Sequence, residues 1–331
     1  MSGFDRITLD HLFLNHAHVK KGYTFMKLSN IVPIFFAVDD NYAPYLAVAM
    51  RSLIDNASPD RQYRIYILID RLNDANADIL CGMAQHNVTV EIVRVTQKLD
   101  ALKDMLHLRD YYTKTTYYRF FIPALFPQYE RGLYLDCDIA VTGNIAELYD
   151  TPMGECILAA APEEVMREVD VFGTYAEAVL DVPRNEYFSA GIMVMNLEKM
   201  RRVALEEQFV ELLGRRTFRV TQDQDYLNVL CRGDFHMLPS GWNKTAWEQV
   251  VLDSPLNIIH YKINWKPWHY KGVRFENVFW KYAEKTPYAD LLYAMRDTYS
   301  KEQISNDQRQ YNNLVEQALC DTAKARQGIL V

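Results

Sequence analysis

Arg131-Gly-Leu-Tyr-Leu-Asp-Cys-Asp-Ile-Ala-Val-Thr-Gly143 runs from an apolar stretch into two carboxylates and then into a turn signal. Gly132 to Leu135 reads as a buried strand, and Thr142-Gly143-Asn144 as the turn that closes the segment. In extended chain, residues i and i+2 face the same way, so Asp136 and Asp138 are expected side by side where the strand ends. Two like charges on one face repel unless a proton or a cation neutralises them. A divalent cation that also takes phosphate oxygens would join protein to nucleotide. Taken alone, an Asp-x-Asp triplet is more often a solvated loop or a helix cap.

Outward from this segment the chain alternates strand and helix signals. Ile31 to Val38 reads as a first buried strand, followed by Asp39-Asp40-Asn41-Tyr42 and an apolar helix from Ala43 to Ile54. Tyr63 to Asp70 is a strand, Asn73 to His86 a helix opened by an Asn/Asp cap, and Val88 to Val95 a strand. Cys156 to Ala161 and Tyr187 to Asn196 are further strands, the second interrupted by Gly191, and helices are expected over 202–216 and at the start of Thr221 to Arg232. Order relaxes from Asn257 to Tyr270, and the tail from Val273 to Gly328 is helical with a break near Thr286-Pro287. The fold class is α/β, a Rossmann-like, mostly parallel sheet with helices on both faces, whose ligands bind at the carboxyl ends of the strands. We divide the chain into an N-terminal extension (1–30), an α/β domain (31–272) and a C-terminal helical region (273–331).

A net charge of -7 argues against nucleic acid or an anionic membrane as the main partner, since both call for a basic surface. The scattered cysteines at 81, 137, 156, 231 and 320 lack a C-x-x-C pair and read as free thiols in a reducing cytoplasm. No apolar run reaches the roughly 18 residues of a membrane span, and no signal peptide is legible. His11, His16 and His18 lack metal-site spacing.

Four more segments fall in order around Asp136-Cys137-Asp138. They are Phe36-Ala-Val-Asp-Asp-Asn-Tyr42, Thr115-Thr-Tyr-Tyr-Arg-Phe120, Thr221-Gln-Asp-Gln-Asp225 and Ile259-His-Tyr-Lys-Ile-Asn-Trp-Lys-Pro-Trp-His-Tyr270. Together they resemble the family 8 glycosyltransferases, retaining enzymes of the GT-A fold that include bacterial lipopolysaccharide galactosyl- and glucosyltransferases and glycogenin. The resemblance covers Ile31 to Tyr282.

The resemblance implies a UDP-sugar donor. Ala37, Asp39, Asn41 and Tyr42 would meet uracil and ribose, while Asp136, Asp138 and His260 would ligate a metal, with Cys137 between the two carboxylates. Carboxylates with one imidazole suit Mn2+ best, with Mg2+ as the alternative. Lys266 would reach the β-phosphate, where a metal and an ammonium offset the charge of departing UDP. Arg119 and Asp223 would contact the donor sugar, and Gln224 would lie beside the reacting carbon. An amide oxygen is a poor nucleophile, which favours same-face displacement through a short-lived oxocarbenium-like species.

Three departures bear on donor identity. Ser189 stands where the family has Asn, Ile263 stands where many members have Gly, and the expected acidic sugar contact has only Glu163 or Glu164 nearby. Among Trp242, Trp247, Trp265, Trp268 and Tyr270, at least half are expected in the core. Residues 301–331 balance four Lys/Arg against four Asp/Glu, so peripheral membrane contact through the tail is expected to be weak. The reading is a metal-dependent retaining hexosyltransferase that moves glucose or galactose from UDP to a hydroxyl of a cell-surface, lipid-linked or protein-linked glycan. Its rivals are a non-catalytic nucleotide-sugar or glycan-binding protein and a sugar nucleotidyltransferase. The latter needs a Gly-rich basic loop after the first strand, where this chain has Asp39-Asp40-Asn41-Tyr42.

Overall fold

The computed structural model describes residues 30–95 and 114–329; the expected N-terminal extension, with its three histidines, lies outside the described residues. Strands β1 (Ile31–Ala37), β2 (Gln62–Ile69), β3 (Val88–Arg94) and β4 (Arg131–Leu135) come first, then β5 (Ile139–Val141), β6 (Leu158–Pro162) and β7 (Phe188–Asn196). The short strands β8 (Phe235–Met237), β9 (Lys244–Thr245) and β10 (Ile258–His260) follow. Seven of them form one sheet in the order β3-β2-β1-β4-β7-β6-β8. Neighbours are parallel except that β7 runs against both β4 and β6.

β1 explains why both faces are covered. Val32, Ile34 and Phe36 enter one core while Ile31 and Phe35 enter the other, so the strand reads as an unbroken apolar run. The first core takes the helix Ala43–Asp55 and the later helices Glu276–Ala283 and Ala289–Thr298. The second takes the 3-10 helix Lys114–Phe120 and the helices Asp170–Val179, Leu205–Arg215 and Asp223–Leu230. Trp242, Trp268 and Trp280 pack in the first core, and Trp247 stacks on Trp265 at 5.5 Å.

The structure differs from the sequence reading in four places. The helix expected to His86 ends at Cys81, with Asn73 capping its start and Gly82 its end. The helix expected over 202–216 is found as Leu205–Arg215, but an unforeseen short helix, Leu197–Arg202, precedes it, the two separated where Ala204 takes a φ of 55°. β7 runs through Gly191 without interruption. Finally, the segment expected to relax after Asn257 contains β10, which pairs antiparallel with β5 and parallel with β9 in a second sheet. Strands of two or three residues are too short to show a period, and their pairing is fixed by partners far away in sequence. This small sheet positions the site, because it sets His260 opposite Ile139, and the Tyr261 amide donates to the Asp138 carbonyl at 2.9 Å.

The tail forms Glu276–Ala283, Ala289–Thr298 and a long helix, Lys301–Arg326. Besides the expected break near Thr286 there is a second at Ser300. There a capping box with Gln303 satisfies two backbone donors at the start of the last helix.

Candidate active site

A cleft of about 1210 Å³, including its solvent-filled mouth, opens at the carboxyl ends of β1 and β4. β4 stops at Leu135 and the chain bends at Cys137 and Asp138 before β5 begins, so the two aspartates do not lie on one extended strand. Their carboxylates converge nonetheless: His260 Nε2 lies 3.1 Å from Asp138 Oδ1 and 3.7 Å from Asp136 Oδ2. Among the described residues, only this trio brings His, Cys, Asp or Glu donor atoms all within 4.8 Å of one another.

Three further observations fit the trio to a divalent cation. His260 Nδ1 is 2.8 Å from Asn243 Oδ1, and an Nδ1–H donated there leaves the Nε2 lone pair facing the carboxylates. With a cation between them that lone pair ligates it; with none, an Nε2–H donates to Asp138 Oδ1 in its place. Gly191 lies directly beneath: a Cβ there would come within 2.5 Å of Asp136 Oδ2 and 2.6 Å of the His260 ring. Its carbonyl also takes the Asp136 amide at 2.7 Å. Lys266 Nζ donates to Asp138 Oδ2 at 2.9 Å and to the Tyr261 carbonyl at 3.2 Å. Burial alone would raise the Asp138 carboxyl, but Lys266 and His260 outweigh it and hold that carboxyl well below the usual carboxylate range. Asn243 escaped the sequence reading because only the β9–β10 pairing brings it near His260. Gly191 was read as a break because space, and not backbone conformation, is what it supplies.

Arg119 lies on the 3-10 helix, 4% exposed, over the ring of Tyr134 at 4.2 Å. Its guanidinium donates to Asp136 Oδ1 at 3.1 Å and its Nε to the Thr116 carbonyl at 2.8 Å, with Asp223 Oδ2 3.1 Å from the same Nε. The Nε hydrogen points at Thr116, so Asp223 Oδ2 has charge beside it but no hydrogen bond. Burial pushes the Asp223 carboxyl up to about 7; Arg119 opposes this and Asp136 adds to it. A carboxyl raised on folding favours the native state below its ordinary value, and that contribution is lost as pH rises through the folded value. Asp223→Asn, which cannot ionise, should therefore gain stability over the wild type progressively between about pH 4 and pH 7, by about 1.4 kcal/mol for each pH unit crossed. Urea denaturation in EDTA at pH 5 and pH 8 measures this; a stability difference that stays constant across that range contradicts it.

Gln224 Oε1 accepts from the Ala190 amide at 2.9 Å, which fixes the side chain against β7 at the cleft wall. Ser189, Glu163 and Ile263 also line the cleft. Glu163 accepts from the Val165 amide at 3.3 Å and pairs with Lys262. Glu164 is elsewhere: fully buried, it pairs with Lys244 at 2.7 Å and takes the Thr245 amide at 2.9 Å, which removes it from the cleft. Ile263, at the family's glycine position, keeps a φ of 56°, a conformation that strains a β-branched residue.

Around β1, Ala37 and Tyr42 line the cleft, and the buried Cys137 thiol donates to the Ala37 carbonyl at 3.2 Å, tying β4 to β1. Asp39 and Asn41 are not among the cleft-lining residues. Asp39 Oδ1 instead takes the amides of Asn41 and Tyr42 at 3.0 and 3.1 Å, shaping the turn before the first helix, and Asn41 is exposed.

With this geometry in place, residues 33–272 match the family model described as glycosyl transferase family 8. The chain belongs to glycosyl transferase family 8. It is a glycosyltransferase, with a mixed α/β fold of the GT-A type. Similar proteins include the lipopolysaccharide 1,2-glucosyltransferase of Escherichia coli, 26% identical across 79% of this chain and 80% of that protein. The lipopolysaccharide 1,3-galactosyltransferase of Salmonella typhimurium is likewise 26% identical, across 80% of this chain and 78% of that one. The galactosyltransferase LgtC, solved with donor and acceptor sugar analogues, is 27% identical with a TM-score of 0.64, covering 77% of this chain and 96% of its own. The bifunctional glycosyltransferase WbbM shares the fold with a TM-score of 0.71 at 24% identity; 84% of this chain aligns with about half (54%) of WbbM.

Proposed function

We propose that this glycosyltransferase is a metal-dependent, retaining hexosyltransferase that moves glucose or galactose from a UDP-sugar to a hydroxyl of a glycan acceptor. The observation that carries it is the convergence of Asp136, Asp138 and His260 with the Lys266 ammonium 2.9 Å from Asp138. The glucosyl- and galactosyltransferase relatives support the hexose. A bound Mn2+, or Mg2+ in its stead, supplies Lewis-acid neutralisation of the diphosphate. Lys266 adds a fixed ammonium for the β-phosphate, Arg119 and Asp223 hydrogen-bond the sugar, and Gln224 flanks the reacting carbon. Ala37 and Tyr42 take the ribose and base, with Asp39 and Asn41 acting through the turn that aims Tyr42. In this reading residues 31–272 are the catalytic unit and 273–331 a helical region closing over it, and the reaction is cytoplasmic. No helix among the described residues is long and apolar enough to cross a membrane.

The test is slow hydrolysis of a panel of UDP-sugars with Mn2+ or with EDTA, which needs no acceptor. UDP-glucose or UDP-galactose should be consumed only with the metal; hydrolysis indifferent to EDTA, or none of any hexose donor, sinks the reading.

Donor choice is assigned to Ser189 with Glu163. Ser189 is 1% exposed, and its short hydroxyl accepts only a long bond, 3.4 Å, from the Gly191 amide. An Asn there would extend an amide into the cleft. Glucose and galactose differ in the direction of one hydroxyl, so one gained or lost hydrogen bond should change the ratio of their use by about tenfold. Competition between the two donors on wild type and Ser189→Asn reads this ratio. An unchanged ratio with UDP affinity intact places specificity elsewhere.

A further inference from the structure

Lys266 opens a turn that closes on its own carbonyl, which accepts from the His269 and Tyr270 amides, both at 3.0 Å. The turn is gripped from two sides. On its inner side Trp268, 1% exposed, stacks on Tyr45 at 4.1 Å and lies 5.0 Å from Phe279 in the first core. Its outer end, His269 and Tyr270, is half-buried and leads into the exposed Lys271 and Gly272. There the tail takes hold. Tyr299 stacks on His269 at 4.0 Å, and Asp307 Oδ2 accepts from the Tyr270 hydroxyl at 2.6 Å and from the Tyr299 hydroxyl at 2.8 Å.

Asp307 belongs to the last helix, Lys301–Arg326, outside the family-matched residues 33–272. The two halves of that helix are unlike. Tyr311, Leu314, Val315 and Ala318 pack against the second core, but among residues 301–310 all are exposed except the half-buried Asp307 and Gln310. A helix is normally held by an apolar stripe, and over its first half this one is tied down by a carboxylate instead. Two phenol donors on a carboxylate oxygen make charge-assisted bonds, stronger than neutral ones. The segment they brace is under strain, since Ile263, three residues before Lys266, keeps a φ of 56°. Strained backbone persists only where its surroundings hold it.

We propose that Asp307 is a positioning residue for the diphosphate: by latching the outer end of the turn it holds the Lys266 ammonium at the metal site. In the UDP-sugar reading on which this rests, Lys266 serves the β-phosphate, and Asp307 acts only through it. The last helix is then a working part of a site whose named residues all lie within 33–272. The path of contacts is short. Asp307 holds Tyr270 directly and His269 by way of Tyr299, and the amides of both turn residues fix the Lys266 carbonyl. At the other end of the residue, Lys266 Nζ donates to Asp138 Oδ2 at 2.9 Å and to the Tyr261 carbonyl at 3.2 Å. A shift of the turn on the order of 1 Å takes the ammonium beyond hydrogen-bond distance of these partners.

The test is calorimetric titration of the full-length protein with UDP and with pyrophosphate in Mn2+. Asp307→Ala is expected to weaken both about tenfold and in equal proportion, because Lys266 meets phosphate and not the base. Asp307→Asn keeps an acceptor oxygen for the two phenols and should recover most of the affinity. If Asp307→Ala does not fold, Tyr270→Phe and Tyr299→Phe each delete one bond and leave the last helix unchanged; each should weaken pyrophosphate about threefold. A double-mutant cycle separates positioning from general destabilisation: in Lys266→Ala, the change Asp307→Ala should have no further effect. Wild-type pyrophosphate affinity in Asp307→Ala, or in both phenylalanine variants, overturns the proposal. So does an equal loss with and without Lys266, or a loss confined to UDP. A wild type that binds neither UDP nor pyrophosphate in Mn2+ overturns the donor reading itself, a result distinct from any difference between variants.

Discussion

Asp138→Ala should lose measurable UDP binding and lower donor turnover on the order of a thousandfold, the scale expected when one partner of a buried, charged set is removed. Asp138 Oδ1 faces His260 at 3.1 Å and Oδ2 takes Lys266 at 2.9 Å, so the change strips the metal of a ligand and the ammonium of its anchor together. Lys266 is 5% exposed, and loss of the carboxylate beside its buried ammonium raises the cost of the folded state. The linkage has a definite sign. A carboxyl depressed on folding adds stability above its unfolded value and loses it as pH falls through the folded one, so the metal-free wild type should outlast Asp138→Ala in denaturant at pH 7, with the gap closing toward strong acid. Asp138→Asn preserves size and separates charge from contact: it should resemble Ala in UDP binding. Calorimetry with UDP and Mn2+, alongside donor hydrolysis in EDTA, reads these effects. Full activity in EDTA, or wild-type UDP affinity in Asp138→Ala, would falsify the metal assignment.

How far the sequence foretold this site depends on which forces place each residue. Asp136 and Asp138 follow an apolar strand whose pattern is local, so both strand and carboxylates were legible. The reason given for their convergence was wrong, since the chain bends at Cys137 and the alignment comes from β5 pairing with β10. His260 was legible only through the family resemblance, because no local pattern announces a three-residue strand. Asn243 and the lack of a side chain at Gly191 were invisible for a related reason: one acts through strand pairing and the other through vacant space. Of the two adjacent acids, burial separated Glu163 at the cleft from Glu164 in an internal ion pair, a distinction that sequence spacing does not carry.

The second large effect is expected at Gln224. Gln224→Ala should cut turnover about a hundredfold while leaving UDP affinity within about twofold, because the side chain lines the cleft, is not one of the metal trio, and in the proposed reading faces the hexose. An amide N–H needs an acceptor, so the bond from Ala190 at 2.9 Å assigns Oε1 to β7 and turns the Gln224 NH2 group away from that bond. That bond uses one lone pair of Oε1 and holds the side chain in place; the case against a covalent sugar-enzyme intermediate rests on the weak nucleophilicity of an amide oxygen. In the proposed reading Gln224 is a polar group beside the carbon where positive charge develops, an interaction stronger in the transition state than in the ground state. Gln224→Ala also leaves the Ala190 amide without a partner, costing about 1–3 kcal/mol of stability. Gln224→Glu keeps an acceptor for that amide and serves as the folding control, retaining near-wild-type thermal stability at neutral pH. Single-turnover kinetics on bound donor separate the two roles. A collapse of UDP affinity with unchanged turnover of bound donor assigns Gln224 to the nucleotide, and a covalently glycosylated Gln224 found by mass spectrometry of the wild type overturns the same-face displacement.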